Sequence, residues 1–395
     1  MIVRAMMYLS RTILTTIVLL FLSSIGHAAM PSVEVEKGIE SHDRALHILD
    51  GFMRDPYIIL APDGYYYLTG TTGGIPEGYD ILNVGLKPKL IDPWKMRVWR
   101  SKDLVRWDSY GSPYTQLDNY WSTVEEMPED SEKRGKQSGQ SSAKTPKKMW
   151  QTIPQDQWRL WAPELHLING KWVIIHTTPS PLKGMANLAV TAGDQLEGPY
   201  TYPMGMDMFS KHDPSIFQDD DGTVWMVWKV GTIALLNSGL NGFAGESIDI
   251  GPSNRIMGHE GALIKKIGSK YVLFGTAWST DKGRVGNYNL YYCTADTLTG
   301  PYGERKFAGR FLGHGFPFQD KLGRWWCTAF YNGNIPPISR EDLKKRPLPD
   351  TAYTINKMGT TIVPLEVKIL DDGDVSIRAK DPAYATPGPD EVQQF

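Results

Sequence analysis

Five segments of the chain repeat one pattern of polar and apolar positions. Each begins with a polar or acidic residue, continues into an apolar run, passes through a tight turn and ends in an aromatic-rich strand, starting near residues 54, 162, 212, 259 and 313. The turns contain Asp63-Gly64, Asn169-Gly170, Asp221-Gly222, Gly268 and Gly323. Asn-Gly and Asp-Gly between apolar runs are strong hairpin signals, because both turn positions need positive φ. The pattern therefore predicts five β-hairpins.

A second pair of strands follows at least three of these hairpins. Segments 98–101 and 104–107 follow the first, 188–190 and 196–200 the second, and 291–294 and 298–302 the fourth. Four strands in a unit of about 50 residues are typical of a β-propeller blade. We therefore predict an all-β fold, a five-bladed β-propeller whose last blade is completed or closed by 363–370 and 374–377. The alternative, a β-sandwich, gives no reason for an ionisable residue at one repeat position five times.

The two ends of the domain are predicted from composition along the chain. Arg4 and Arg11 precede an apolar run over 12–25, and Gly26 and Ala28 suit the −3 and −1 positions of a signal peptidase site. We predict a signal peptide over 1–28, an exported protein that is periplasmic or extracellular, and no membrane attachment after cleavage. An uncleaved anchor is the alternative. Residues 29–395 then form a single propeller catalytic domain with a polar insertion loop around 122–150.

Charge and cysteine content narrow the function classes. The 42 Lys and Arg residues nearly balance the 44 Asp and Glu residues, for a net charge of −2. This argues against nucleic acid or anionic lipid as a partner held by bulk charge. The 13 Trp and 19 Tyr residues suit flat apolar ligands such as sugar rings. Cys293 and Cys327 lie in strand-like segments, and we predict two buried thiols rather than a disulfide or a metal site.

One ionisable residue stands at a roughly equivalent place in each repeat, at the start of its first strand: Asp55, Glu164, Asp213, Glu260 and His314. In a propeller these positions converge on one funnel, and burying like charges together separates their pKa values. Two carboxyls with separated pKa values are what glycoside hydrolysis needs. The sequence contains no G-x-S-x-G elbow, H-E-x-x-H helix or Walker loop that would favour another chemistry.

Four motifs carry a resemblance to a known family: Arg54-Asp55-Pro56, Trp161-Ala162-Pro163-Glu164, His212-Asp213-Pro214 and His259-Glu260-Gly261-Ala262. In order and spacing, from about Leu49 to Asn332, the chain resembles glycoside hydrolase family 43. The resemblance implies a five-bladed propeller that acts on arabinosides, xylosides or galactosides, usually by inversion. The chain differs from the usual pattern of this family at Gly261-Ala262, where Gly-Pro is usual.

The resemblance also implies residue roles. Asp55 matches the general base, Glu260 the general acid, and Asp213 the residue that tunes the pKa of the acid and holds it in place. Glu164 matches a position near the site. His314 matches a channel histidine that lies beside a cation, often calcium, in some members, so a structural calcium in the central channel is a possible ligand. No cofactor is expected for the chemistry itself.

Further residues are predicted to contact an oligosaccharide substrate: Arg54, Trp161, Glu164, His212, His259, Trp278 and His314. Trp161 and Trp278 are predicted sugar platforms, together with Trp121. We expect an exported, inverting, exo-acting glycosidase for plant or algal oligosaccharides. Basic residues beside the carboxyls suggest an anionic or anhydro-sugar. The alternatives are a five-bladed hydrolase of the neoagaro-oligosaccharide or fructan type, and a propeller that binds carbohydrate without catalysis.

Overall fold

The computed structural model describes residues 33–74, 90–123, 153–182, 184–333 and 352–395. The predicted signal peptide over 1–28 lies outside the described residues, as does residue 124 onward of the predicted insertion loop. Within the described ranges, no helix is long and apolar enough to cross a membrane. The helices are short: α1 (Val33–Ser41), α2 (Tyr120–Thr123) and α3 (Pro382–Ala385). Three 3₁₀ turns lie at Gln116–Asp118, Gln155–Gln157 and Gly205–Met208.

Five separate antiparallel sheets form the five predicted blades. Blade 1 contains β2 (Met53–Leu60), β3 (Tyr66–Thr72), β4 (Lys95–Ser101) and β5 (Asp108–Thr115). Blade 2 contains β6 (Arg159–Ile168), β7 (Lys171–Ser180), β8 (Met185–Thr191) and β9 (Tyr200–Thr201). Blade 3 contains β10 (Ser215–Gln218), β11 (Val224–Trp228), β12 (Thr232–Leu235) and β13 (Ile248–Asp249). Blade 4 contains β14 (Glu260–Ile267), β15 (Lys270–Trp278), β16 (Tyr288–Ala295) and β17 (Lys306–Gly309).

Blade 5 joins the two ends of the chain. Its inner strands are β18 (Pro317–Gln319), β19 (Trp325–Phe330) and β20 (Gly359–Ile369), and its next strand is β1 (Leu46–Asp50). Strand β21 (Val375–Ala379) pairs with the distal part of β20. The late strands were predicted, but the contribution of β1 was not. The ring of blades is therefore closed by antiparallel pairing between an early and a late segment.

The hairpin prediction is confirmed in all five blades. The turn glycines Gly64, Gly170, Gly222, Gly268 and Gly323 have φ between 59° and 85°, which glycine adopts at little cost. The fourth strands of blades 1, 2 and 4 begin later than predicted, because residues 104–107, 196–199 and 298–302 form the turns before them.

Near the start of the innermost strand of each blade, one residue has a left-handed backbone conformation, with φ between 43° and 66°. These residues are Asp55, Ala162, Asp213, Gly261 and His314. In blades 1, 2 and 4 a β-bulge interrupts the register at this point. These five residues are the structurally equivalent positions, so the predicted equivalence of Glu164 and Glu260 with Asp55 is wrong. Glu260 precedes the equivalent position by one residue, and Glu164 follows it by two.

Threonine side chains connect neighbouring innermost strands. The Thr71 hydroxyl, on β3, accepts a hydrogen bond from the backbone N–H of Ala162 at 2.7 Å, and Thr177 does the same for Asp213 at 2.7 Å. Thr328, on β19, accepts from the Phe316 N–H at 2.8 Å and donates to the carbonyl of Pro56. The Thr328 bond links the last blade to the first. These bonds fix the innermost strands around one central channel.

Candidate active site

A cavity of about 680 Å³ opens at the end of the channel where the innermost strands begin. The carboxyls of Asp55, Asp213 and Glu260 line it, with the imidazoles of His212 and His314. Asp55, Asp213 and His314 also line a second, small cavity of about 20 Å³ further along the channel. The predicted catalytic residues from three blades are therefore brought together, at the boundary between an open cavity and the closed channel.

Asp55 is held by two partners. The Nδ1 atom of His314 lies 3.1 Å from its Oδ1, and the Thr71 hydroxyl donates to its Oδ2 at 2.8 Å. Burial raises the pKa of Asp55, but the charge and hydrogen bond of His314 outweigh burial and keep the pKa below its usual value. Burial lowers the pKa of His314. Asp55, with the largest effect, and then Asp213 and Glu260 outweigh burial and raise this pKa to about 10. The pair is therefore a carboxylate and an imidazolium at neutral pH.

His212 contacts the other two carboxyls. Its Nε2 lies 3.1 Å from Asp213 Oδ2 and 3.5 Å from Glu260 Oε2. The ligand-type atoms of these three residues all lie within 4.8 Å of one another, a close group that does not include Asp55. Burial lowers the pKa of His212, but the contacts of this imidazole with Glu260 and Asp213 outweigh burial and raise the pKa above its ordinary value. The three groups titrate together, so their protons belong to the set.

Within that set the two carboxyls shift in opposite directions. Burial raises the pKa of Asp213, which is only partly offset by the two histidines. Burial also acts on Glu260, but hydrogen bonds from His212 and Tyr288 and the charge of His314 lower its pKa. A general acid needs a proton near neutral pH. In this arrangement Asp213 and His212 have raised pKa values and hold a proton more readily than Glu260, and the 3.5 Å contact from His212 leads to Glu260.

Sequence reasoning missed Tyr288, which donates from its hydroxyl to Glu260 Oε1 at 2.7 Å. Tyr288 lies on β16, the third strand of blade 4, and the Thr276 hydroxyl donates to it at 2.9 Å. No repeat motif includes Tyr288, because it reaches the channel from outside the innermost strand. The ring of Trp278 packs against Tyr288 with centroids 4.5 Å apart.

The structure separates the predicted substrate contacts into two groups. Arg54, Trp161, His212 and His314 line the large cavity, and Trp161 is 41% exposed. His259 lies beside Glu260, but its Nδ1 is buried with no partner among the described residues, and the residue is not among those that line the cavity.

Three predicted contacts are corrected by their burial. Trp121 is 0% exposed in a cluster with Trp158, and Trp278 is 6% exposed behind Tyr288, so neither presents a face to a sugar. Glu164 lies in the channel beyond the large cavity. Its Oε2 accepts from Ser215 at 2.7 Å and lies 2.8 Å from His166 Nε2, which gives it a structural role. Cys293 and Cys327 are buried free thiols, as predicted.

The channel around His314 does not fit calcium. Calcium takes six to eight oxygen ligands, whereas the small cavity has a volume of only about 20 Å³, and its three carboxyl side chains, Asp55, Glu164 and Asp213, already contact His314, His166 and His212. The His314 imidazolium already stands against Asp55, and the Lys265 ammonium lies 4.1 Å from the centroid of the Phe316 ring in the same channel. These two cations supply the positive charge that a metal would bring.

Comparisons with known proteins agree with this geometry. A family model described as "Glycosyl hydrolases family 43" matches residues 47–341. A "Putative beta-xylosidase" of Escherichia coli (strain K12) is 25% identical over 186 residues, 46% of this chain and 26% of the relative. A "Xylan 1,3-beta-xylosidase" of Vibrio sp is 21% identical over 337 residues, 78% of this chain and 53% of the relative. The chain thus spans about half or less of these relatives.

Two solved structures illustrate the similarity of fold. The GH43 BlXynB protein from Bacillus licheniformis superposes with a TM-score of 0.53 at 20% identity, covering 89% of this chain and 60% of that one. An exo-1,5-alpha-L-arabinanase from a bovine ruminal metagenomic library gives a TM-score of 0.50 at 16% identity, covering 83% and 97%. At these identities the similarity shows the propeller fold alone.

Proposed function

The chain belongs to glycosyl hydrolases family 43, and on that premise we propose that it hydrolyses O-glycosidic bonds in oligosaccharides, with Asp55 as base and Glu260 as acid. One observation carries the proposal. Three carboxyls from three blades line one cavity, and two histidines with raised pKa values contact them. Ionisable groups with shifted pKa values that lie together in one cavity are typical of acid–base catalysis.

Asp55 is suited to accept a proton from water. Its partner His314 keeps it ionised near neutral pH, and the Thr71 hydroxyl fixes the orientation of the carboxylate. His314 is itself a positioning residue, since it acts through Asp55. In this role the Asp55 carboxylate removes a proton from water as the water attacks the anomeric carbon.

Glu260 is suited to protonate the leaving oxygen through its neighbours. The group of His212, Asp213 and Glu260 holds the proton, and His212 contacts both carboxyls. When a glycosidic oxygen approaches, His212 passes a proton to Glu260. Glu260 then donates this proton to the glycosidic oxygen. Before the transfer, Asp213 lies 3.1 Å from His212 and stabilises the positive charge on that imidazolium, which extends the tuning role expected for Asp213.

Inversion and exo action are parts of the same proposal. An inverting enzyme separates its acid and base by about 6.5–9.5 Å, to admit a water molecule. Asp55 lies on blade 1, outside the close group that contains Glu260 on blade 4, which is compatible with this spacing. The cavity volume of about 680 Å³ is that of a small-ligand pocket, which suits removal of terminal sugars.

The substrate class is proposed from the relatives and from Trp161. The names of the relatives include xylosidase, arabinanase and galactofuranosidase, so we infer pentosides or galactosides from plant or algal polysaccharides. The half-exposed Trp161 ring offers a face for a sugar ring at the cavity wall.

Hydrolysis across a panel of aryl glycosides and plant and marine oligosaccharides tests the proposal, with the product anomer followed by NMR. Asp55→Asn and Glu260→Gln should each reduce kcat/KM at least about 10²-fold, as loss of a general acid or base does. Asp108→Asn, on the exposed strand β5, is the matched control. Sugar binding without turnover on any substrate would instead identify a binding propeller, and a retained anomer would refute the inverting mechanism.

We also propose that the chain is exported, because residues 1–28 have the charge and apolar pattern of a signal peptide. Expression of the full chain in a bacterial host, followed by fractionation and N-terminal sequencing, tests this. A mature N-terminus at Ala29 outside the cytoplasm is expected. An intact Met1 in the membrane fraction would indicate the anchor instead.

A further inference from the structure

The wall of the large cavity is rich in guanidinium groups. Arg54 and Arg159 both line it, from the first strands of blades 1 and 2, and Arg284 lines it from the loop after β15. All three are half-buried. A cavity for a neutral sugar needs no such set of cations.

The carboxyls of the cavity do not account for these arginines. Asp55 is matched by His314, and Asp213 and Glu260 by His212. Arg54 donates to the amide oxygen of Asn332 at 3.0 Å, and its guanidinium lies 5.5 Å from the Phe330 ring centroid. Neither it nor Arg159 forms an ion pair with a carboxylate of the described part of the chain.

Among the described residues, the hydrogen bonds of the Arg159 guanidinium go to backbone carbonyls. Its Nη1 donates to the carbonyls of Asp156 and Trp158 at 2.7 and 2.8 Å. A guanidinium has five N–H donors in a planar fork that matches a carboxylate or sulfate group. Within the described residues the hydrogen bonds of the Arg159 side chain use one guanidinium nitrogen, and those of Arg54 also use one, so donors remain for a ligand.

Thr72 adds an unpartnered donor to the same wall. Its hydroxyl oxygen is buried, has no hydrogen-bond partner among the described residues, and belongs to a side chain that lines the cavity. Thr72 is paired with Met53 across β2 and β3, one position from Arg54. A buried hydroxyl without a partner is costly, and a ligand oxygen would satisfy it.

We propose that Arg54, Arg159 and Thr72 form a subsite for an anionic substituent of the sugar, either a carboxylate or a sulfate ester, so that acidic oligosaccharides are the preferred substrates. This rests on the proposed hydrolase function of the cavity. The anionic group binds the guanidinium forks through charge-assisted hydrogen bonds. A neutral sugar offers the unused guanidinium donors no charged partner, so the subsite also discriminates against it.

The test compares three oligosaccharides of one backbone: neutral, bearing a uronate, and bearing a sulfate ester. We expect kcat/KM for one acidic form to exceed that for the neutral form at least about tenfold, the value of one charged hydrogen bond. Arg159→Gln and Arg54→Gln should each reduce this ratio about 10- to 100-fold, and Arg159→Lys should reduce it less. Arg106→Gln, an exposed arginine in the turn before β5, is the control and should leave the ratio unchanged.

The two proposals fail differently. Equal rates on neutral and acidic forms, or a preference that survives in both glutamine variants, would overturn the subsite while hydrolysis stands. If no form is hydrolysed, the hydrolase proposal fails, and calorimetric titration of wild type and Arg159→Gln decides the subsite. Tighter binding of an acidic form that is lost in the variant supports it, and equal or undetectable binding overturns it. Uronate and sulfate are distinguished by which form is preferred.

Discussion

Replacing His314 by Asn should raise the pKa of Asp55 and move the acidic limb of the pH–rate profile to higher pH. Asn is chosen because position 314 has a φ of 54°, a left-handed conformation that Asn tolerates better than most residues. The imidazolium of His314 lies 3.1 Å from Asp55 and is its main stabilising charge. Without it, burial dominates, and the carboxyl holds its proton to higher pH.

The size of this effect follows from the ion pair. Opposite charges 3.1 Å apart attract by about 5 kcal/mol at an effective dielectric constant near 20. The pKa of His314 rises from 6.5 to about 10, which also corresponds to about 5 kcal/mol. Because Asp55, Asp213 and Glu260 share this energy, we assign about 2 kcal/mol to Asp55, which moves its pKa up by about 1.5.

The assay is kcat/KM between pH 4 and 9 on the best aryl glycoside of the panel. Because the pKa of Asp55 starts below 3.8, the variant should be up to about tenfold slower than wild type at pH 4, no more than about threefold slower near pH 5, and close to it above pH 8, as a displaced ionisation requires. The control is His47→Asn, which removes a His–Asp pair of 2.8 Å outside the cavity. An acidic limb that stays in place in an active variant would refute Asp55 as the base, or His314 as its charged partner.

Stability gives a second measure of the same pair. The pKa of His314 is raised on folding, so its contribution is complete below pH 6.5 and is lost as pH rises through about 10. The contribution of Asp55, whose pKa is lowered, is lost as pH falls below its ordinary value of 3.8. The loss of Tm in His314→Asn should therefore be largest between about pH 4 and 6.5 and vanish towards pH 10. A loss independent of pH would indicate packing alone.

Three further predictions follow from other contacts. Tyr288→Phe removes a donor to Glu260, so the pKa of Glu260 should rise, and the basic limb of kcat/KM, which reports the proton shared by His212, Asp213 and Glu260, should move to higher pH; an unchanged limb would count against a proton shared with Glu260. Thr328→Val removes two buried hydrogen bonds, one within blade 5 and one from blade 5 to blade 1, and should lower the free energy of unfolding by about 2–3 kcal/mol in urea titrations, with exposed Thr201→Val as the control. Dialysis against EDTA should leave kcat/KM and Tm unchanged, because Lys265 and His314 supply the channel's positive charge; a loss restored by calcium would contradict this.

The blades were predictable because their signals are local. Each Asp-Gly or Asn-Gly turn fixes a hairpin from two residues, and the repeat then orders the hairpins around a channel. The strand β1 carries no such signal, since its five residues are defined by pairing with β20 some 310 residues away. The family assignment is confirmed by the match over residues 47–341.

The residue types of the site could be predicted from the sequence, but their exact positions along the strands could not. Counted back from the turn glycines, Asp55 lies nine residues upstream, Glu260 eight and Glu164 six, so the count gave only a rough equivalence, and the β-bulges at the strand starts hide the exact positions. A bulge adds a residue to one strand and redirects the side chains beside it. Glu260 thereby faces the cavity, and Glu164 lies further along the channel. Burial of Trp121 and the contact from Tyr288 depend on packing between distant segments.

The pairing of β1 with β20 sets the order in which the molecule can be completed. During synthesis β1 is available from the beginning, but its partner is made more than 300 residues later. Until β20 emerges, β1 lacks its partner and β19 is paired on one side only, with β18, so both strands have open edges that can associate with other chains. Asp55 and His314 lie on the two blades joined by the Thr328 bond, so their contact depends on the closed ring. The base of the proposed reaction is therefore assembled last, by the same event that makes the ring resistant to opening.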